Sequence, residues 1–228
     1  MDTTYKGFEL VCKPGCHFCC TFRVYGTSIE GYYILQTQKE ALPRLSNFTE
    51  YPRPRMSHNQ MLMCYIQGEE PVPEEFPEEL KPCPFLDEKG LCSIYEARPL
   101  MCRLMASVVS CESGAAQLPP FLFKVSTIAF QIVENIDQGG VYGSIFDVLK
   151  LLQGYQEDEN IEIPPYILSN LDIDELPILP EEKDLKNWVG RLYRTPVEGD
   201  KTFRDLLNEL RTNFHEKYQT LSFLEEIF

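Results

Sequence analysis

The sequence predicts a mainly α protein with a small, irregular, cysteine-rich metal-binding region at its N-terminal end and few short strands. Three observations predict it. All nine cysteines lie at or before position 111, at 12, 16, 19, 20, 64, 83, 92, 102 and 111. Apolar stripes at helical spacing fill the second half. Proline and glycine punctuate the first half too often for long regular elements.

The chain has 228 residues, of which 43% are hydrophobic, enough to bury a substantial core. The net charge of −14 repels phosphate backbones and anionic lipid, so neither nucleic acid nor a membrane surface is an expected partner. The opening "MDTTYKGFEL" has no basic stretch followed by an apolar one, and no run approaches the ~18 apolar residues of a spanning helix. The expectation is a cytoplasmic protein whose thiols stay reduced. An odd number of cysteines also argues against a complete disulfide set.

In chain order, "CTFRVYG" alternates as a short strand would. Thr27 and Glu30 form a capping-box pair that opens a helix, which Pro43 must end. "SHNQMLMCYIQ" is a second helical piece. "GEEPVPEEFPEELKPCPF" mixes five prolines with six glutamates and reads as an extended, solvated connection that delivers Cys83. Its acidity would suit a basic protein partner. "DEKG" between Cys83 and Cys92 is a hairpin turn.

A break is expected at "QLPPF", dividing a cysteine-cluster region, 1–120, from an acidic helical region, 121–228. The first carries 11 basic and 15 acidic residues and the second 10 and 20, so most of the negative charge lies in the second. Val125, Ile128, Ala129, Ile132, Val133 and Ile136 make one core-facing stripe, stopped by Gly139 and Gly140. Ile145, Val148, Leu149 and Leu152 make the next, with Ser144 as its cap. Leu185, Trp188, Val189 and Leu192 follow. Phe203, Leu206, Leu207, Leu210 and Phe214 form the last, near Thr202 and Asp205. "QEDENIEIPPY" is one of the acidic connections between them. No glycine-rich phosphate loop and no strand–helix alternation point to a nucleotide-binding sheet.

"CKPGCHFCC" places Cys12, Cys16, Cys19 and Cys20 within nine residues. Thiolates packed so closely suit tetrahedral zinc or an iron–sulfur cluster, each of which takes about four. Pro14 and Gly15 favour a tight turn over a helix, and such a turn aims backbone N–H groups at sulfur. Cys19 and Cys20 diverge on any regular backbone, so one faces the metal and the other serves a second metal, bonds elsewhere or packs. Cys83, Cys92 and Cys102 are a second group, followed by Arg98 and Arg103, whose charge would offset a negative cluster.

Together "CKPGCHFCC" and "CPFLDEKGLCSIYEARPLMCR" resemble the cysteine-cluster family described as a zinc- or iron-chelating domain. Cys12, Cys16, Cys19, Cys20, Cys83, Cys92 and Cys102 match its cysteines, and Tyr95, Arg98 and Pro99 match its other positions. The resemblance spans roughly residues 10 to 105 and implies metal binding. Flagellin lysine N-methylases are similar over the same cysteines, which implies a second function: methyl transfer from S-adenosylmethionine to protein lysines. C-x3-C-x2-C is also the spacing of radical S-adenosylmethionine enzymes, but the βα-repeat barrel they need is missing from the pattern.

The leading expectation is therefore a metal-binding protein with a [4Fe-4S]-type centre in a redox, sensing or structural role. A structural zinc module for protein interaction is the third reading. For one cluster, the preferred ligands are Cys12, Cys16 and Cys19 with one of Cys83, Cys92 and Cys102. Cys64 and Cys111, among apolar neighbours, are expected to be ordinary small hydrophobes. His17 is expected to be a bystander, and His58 and His215 have no local partners in the sequence.

Overall fold

Thr27 ends strand β1 (Tyr25–Thr27) and caps helix α1 (Ser28–Thr37), with Glu30 reaching back to the Thr27 N–H at 3.0 Å. The computed structural model describes residues 9–13, 15–47, 51–75, 78–113, 116–157 and 162–220. Pro14, Phe76, Pro77 and residues 158–161 of the acidic connection lie outside the described residues, as do the side chains of Phe214 and His215.

The capping box forms as expected, but α1 stops before Pro43. The Gln38 N–H closes the last turn on the Ile34 carbonyl at 2.8 Å, and Gln38 then leaves helical geometry. Pro43 sits inside a 3-10 stretch, Lys39–Asn47. Helix α2 (His58–Gln67) is capped by Ser57 and ends on left-handed Gly68. Helix α3 (Leu100–Leu104) is a short turn carrying Cys102.

Helix α4 (Pro120–Ile136) begins at the predicted break, with proline at its first position. Strand β2 (Val141–Ser144) follows, then α5 (Ile145–Glu157), β3 (Leu168–Ser169) and α6 (Lys183–Tyr193). A hairpin of β4 (Pro196–Glu198) and β5 (Lys201–Thr202) leads into α7 (Phe203–Thr220), where Thr202 and Asp205 exchange hydrogen bonds at the helix start. The four predicted helical stripes all lie on helices. Helix occupies 46% and strand 10%, with more sheet than the pattern announced.

β1, β2 and β3 form one antiparallel sheet in that order, with Tyr25 opposite Ser144 and Thr27 opposite Tyr142. "VYGS" is too short to show a two-residue period, and its partner strand lies in the other half of the chain. α5 packs on α1, where Gly31 permits the close approach: a Cβ there would sit 2.9 Å from Val148 Cγ1 and Leu152 Cδ1.

The main core joins Phe22, Val24, Ile34, Leu35, Phe85 and Ile94 with Ile145, Phe146 and Leu149. Residues on both sides of position 120 thus share one interior. The division expected there marks a change in composition, while the packing runs across it. A second cluster seats Ile128 of α4 against Leu185 and Val189 of α6. Among the described residues, no helix is long and apolar enough to cross a membrane.

Candidate metal centre

Backbone hydrogen bonds bring the two cysteine segments side by side. The Cys83 N–H donates to the Cys20 carbonyl at 3.0 Å and the Phe22 N–H to the Lys81 carbonyl at 2.9 Å, with Thr21 bridged to Pro82. Around the first segment the Cys16 N–H closes a turn on the Lys13 carbonyl at 3.0 Å, through left-handed Gly15. The expected turn is present, although Pro14 itself is outside the description. Val11 pairs outward, its N–H donating to the Ser107 carbonyl at 3.0 Å.

The "DEKG" hairpin forms because Asp87 organises it. Its Oδ1 accepts the Lys89 and Leu91 N–H groups at 2.8 Å each, and Leu86 bridges to Cys92. Gly90 is left-handed, with φ 73°, and a Cβ there would lie 2.7 Å from His17 Nδ1. The glycine therefore serves both the turn and the approach of the His17 ring, which lies against the hairpin. Cys102 arrives on α3. The Leu100 N–H at the start of that helix donates to Glu30 Oε1 at 2.6 Å, and the Tyr25 N–H lies 3.2 Å from Met101 Sδ.

All seven cysteines of the motif are partly buried, as are Cys64 and Cys111. Backbone N–H groups favour four of the seven thiolates: Ser107 acts on Cys12, Phe85 on Cys83, Ile94 on Cys92, and Cys19's own N–H on Cys19. For Cys83 and Cys92 the N–H is two residues beyond the cysteine, the arrangement in which a tight turn offsets a thiolate's charge. Burial outweighs these contributions. It pushes the Cys83 thiol up to about 11 and raises Cys92, Cys12 and Cys102 as well.

The Cys19 and Cys20 thiols are each other's largest influence, lowering Cys19 to about 6 and raising Cys20. The backbone here is irregular, with the Thr21 N–H reaching back to the Cys19 carbonyl at 3.0 Å. The Arg98 charge favours the thiolates of both Cys19 and Cys92, one from each segment, and its guanidinium stacks 3.9 Å over the Tyr95 ring. Arg103 donates to the Arg98 carbonyl at 3.1 Å and the Glu96 carbonyl at 2.5 Å, holding the turn that presents Arg98.

As the side chains stand, among the described residues no three of Cys, His, Asp and Glu converge closely enough to hold one ion. The donor set fits zinc or iron by its chemistry: soft sulfur ligands, several favoured as thiolates by nearby backbone N–H groups, and the Arg98 charge acting on two of them.

Two features escaped the sequence reading. His58 has partners after all: Glu134 accepts its backbone N–H at 2.8 Å and lies 3.2 Å from its Nδ1, while Phe130 stacks on the ring at 4.2 Å. Glu134 stands beside the α4 stripe, and a carboxylate next to buried apolar positions is the signal that could have raised the question. The other is Cys111, which lies near enough for its charge to act on Cys12.

The structure thus sets a cysteine-rich region into a helical frame. Residues 11–121 match the CxxCxxCC family, described as "Putative zinc- or iron-chelating domain", and this region belongs to that family. No curated protein and no solved structure matches the chain.

Proposed function

We propose that this protein binds iron as a cysteine-ligated [4Fe-4S]-type centre and uses it in a redox, sensing or structural role. The observation that carries the reading is the pairing of the Cys20 and Cys83 backbones, which gathers thiols from two distant segments around Arg98. Seven motif thiols exceed what a single zinc ion takes, and all-cysteine ligation is the usual environment of such a cluster. The group, when bound, supplies electron transfer or a rigid crosslink. The chain supplies N–H donors to sulfur, a balancing cation and a partly buried setting.

Purification without oxygen, followed by iron, sulfide and zinc analysis, tests the proposal. Iron and sulfide in equal amounts with a brown colour bleached by air are expected. A colourless, air-stable protein with stoichiometric zinc would replace the cluster with a zinc site.

A further inference from the structure

We infer that the exposed side of the two cysteine segments is the docking face for a small acidic electron-transfer protein, seated on Phe18, Leu91 and Tyr95 and steered by Lys13 and Lys89. This rests on the redox reading of the centre above and adds to it the chemistry of the partner.

Three large apolar side chains stand in solvent on these segments: Phe18 is 53% exposed, Tyr95 50% and Leu91 43%. The backbone turns them outward by burying their neighbours. Phe85 and Ile94 enter the main core, so Tyr95, next in line, points away from it. Ring contacts then draw the first two together. Phe18 lies parallel to the His17 ring, with centroids 6.0 Å apart. His17 Nδ1 is 3.0 Å from the Gly15 carbonyl oxygen, and its ring rests on the hairpin at Gly90, between Lys89 and Leu91. Tyr95 opens a 3-10 turn three residues beyond Cys92, with the Arg98 guanidinium stacked over its ring. A single exposed leucine or tyrosine means little, but apolar groups gathered on the loops that carry a candidate redox centre make a contact patch. Cys16 and Cys19, on either side of Phe18, are only partly buried, so a molecule seated here lies close to their sulfurs.

Charge chooses the occupant. Residues 12–20 and 81–103 carry five basic side chains, Lys13, Lys81, Lys89, Arg98 and Arg103, against three acidic ones, Asp87, Glu88 and Glu96. Asp87 is engaged within the hairpin, where it accepts the Lys89 and Leu91 N–H groups. The whole chain has a net charge of −14, so the cysteine face is a positive island on a negative molecule. A basic partner is attracted to the rest of the surface and least of all to this face. An acidic partner is repelled by the rest and admitted here, which fixes its orientation as well as its choice. Three apolar anchors ringed by lysines suit the small, short-lived contacts of electron-transfer encounters.

Calorimetric titration of the full chain, loaded without oxygen and assayed for metal, tests this. The probes are a plant-type [2Fe–2S] ferredoxin of strongly negative charge and, as its opposite, a basic cytochrome c. Ferredoxin should bind, and binding should weaken about tenfold or more when salt rises from roughly 50 to 300 mM. Lys89→Glu and Phe18→Ser, both at exposed side chains, should each weaken it about fivefold or more with metal content unchanged. Phe123→Ser, at a side chain 65% exposed on α4, should leave it as it was. Iron-loaded protein that ignores ferredoxin overturns the docking face and leaves the cluster reading intact. So does binding indifferent to salt and to both substitutions, or cytochrome c bound as tightly as ferredoxin. Salt-sensitive self-association in place of ferredoxin binding gives the face to a second copy and overturns the proposal. Ferredoxin binding by a chain that holds zinc keeps the face and overturns the cluster reading instead.

Discussion

Glu30 accepts the Leu100 N–H at 2.6 Å on one carboxylate oxygen while the other caps its own helix at Thr27. One side chain thus fixes the start of α1 and the start of the helix that carries Cys102. Burial raises its carboxyl above the ordinary 4.5, in spite of these bonds.

That shift sets a pH dependence. A carboxyl whose pKa is raised by folding holds its proton more tightly in the folded chain. Its contribution is complete below the unfolded value and is lost as pH rises through the folded one. Glu30→Gln has no such titration. In urea melts from about pH 4.5 upward, wild type should gain stability relative to Glu30→Gln as pH falls. Parallel curves would show that this carboxyl is not perturbed.

Phe146, fully buried, stacks on Tyr51 at 4.7 Å and meets Phe85 at 5.7 Å, and the Phe85 N–H favours the Cys83 thiolate. Phe146→Ala should cost about 3–5 kcal/mol. It should also speed metal loss to a chelator, since it loosens the residue that supports Cys83. A thermal melt and a timed chelator competition check the two effects separately.

Arg98→Ala should weaken metal retention by roughly 10- to 100-fold, the usual cost of losing an outer partner of a metal site. Arg98→Lys should keep part of it, because charge remains while the stacking on Tyr95 is lost. Equilibrium competition with a metal-binding dye gives the ratio. Equal affinity in all three proteins would remove Arg98 from the site.

Gly31→Ala should destabilise by about 1–3 kcal/mol, because helix propensity gains less than the crowding against Val148 and Leu152 costs. Denaturant unfolding measures it. Pairing it with Leu152→Ala should restore part of the loss, since the new methyl then has room.

Six of the seven α-helices were legible because each carried a local signal: the Thr27 and Glu30 capping box, the apolar run in "SHNQMLMCYIQ", and the stripes on α4 to α7; α3, of five residues, was too short to show one. The sheet was not. β2 and β3 have four and two residues, too few for a period, and both depend on partners distant in sequence. The seven motif cysteines could be read from spacing, and the hairpin between two of them from "DEKG". Cys111 could not, because it stands outside that spacing and its influence on Cys12 joins segments far apart in the chain. The contact between Cys19 and Cys20 was hidden for a related reason: it needs an irregular turn that neither helical nor strand geometry describes.

The pairing of Cys20 with Cys83 spans more than sixty residues of intervening chain, including α1, α2 and the acidic connection. A metal bound across it would act as a removable clasp on that whole excursion, restricting the unfolded chain much as a permanent covalent link does, but only while the inorganic part survives. Oxidative destruction of the centre would then shorten the molecule's lifetime, opening α1 and α2 to proteases and turning chemical damage at sulfur into physical turnover of the polypeptide.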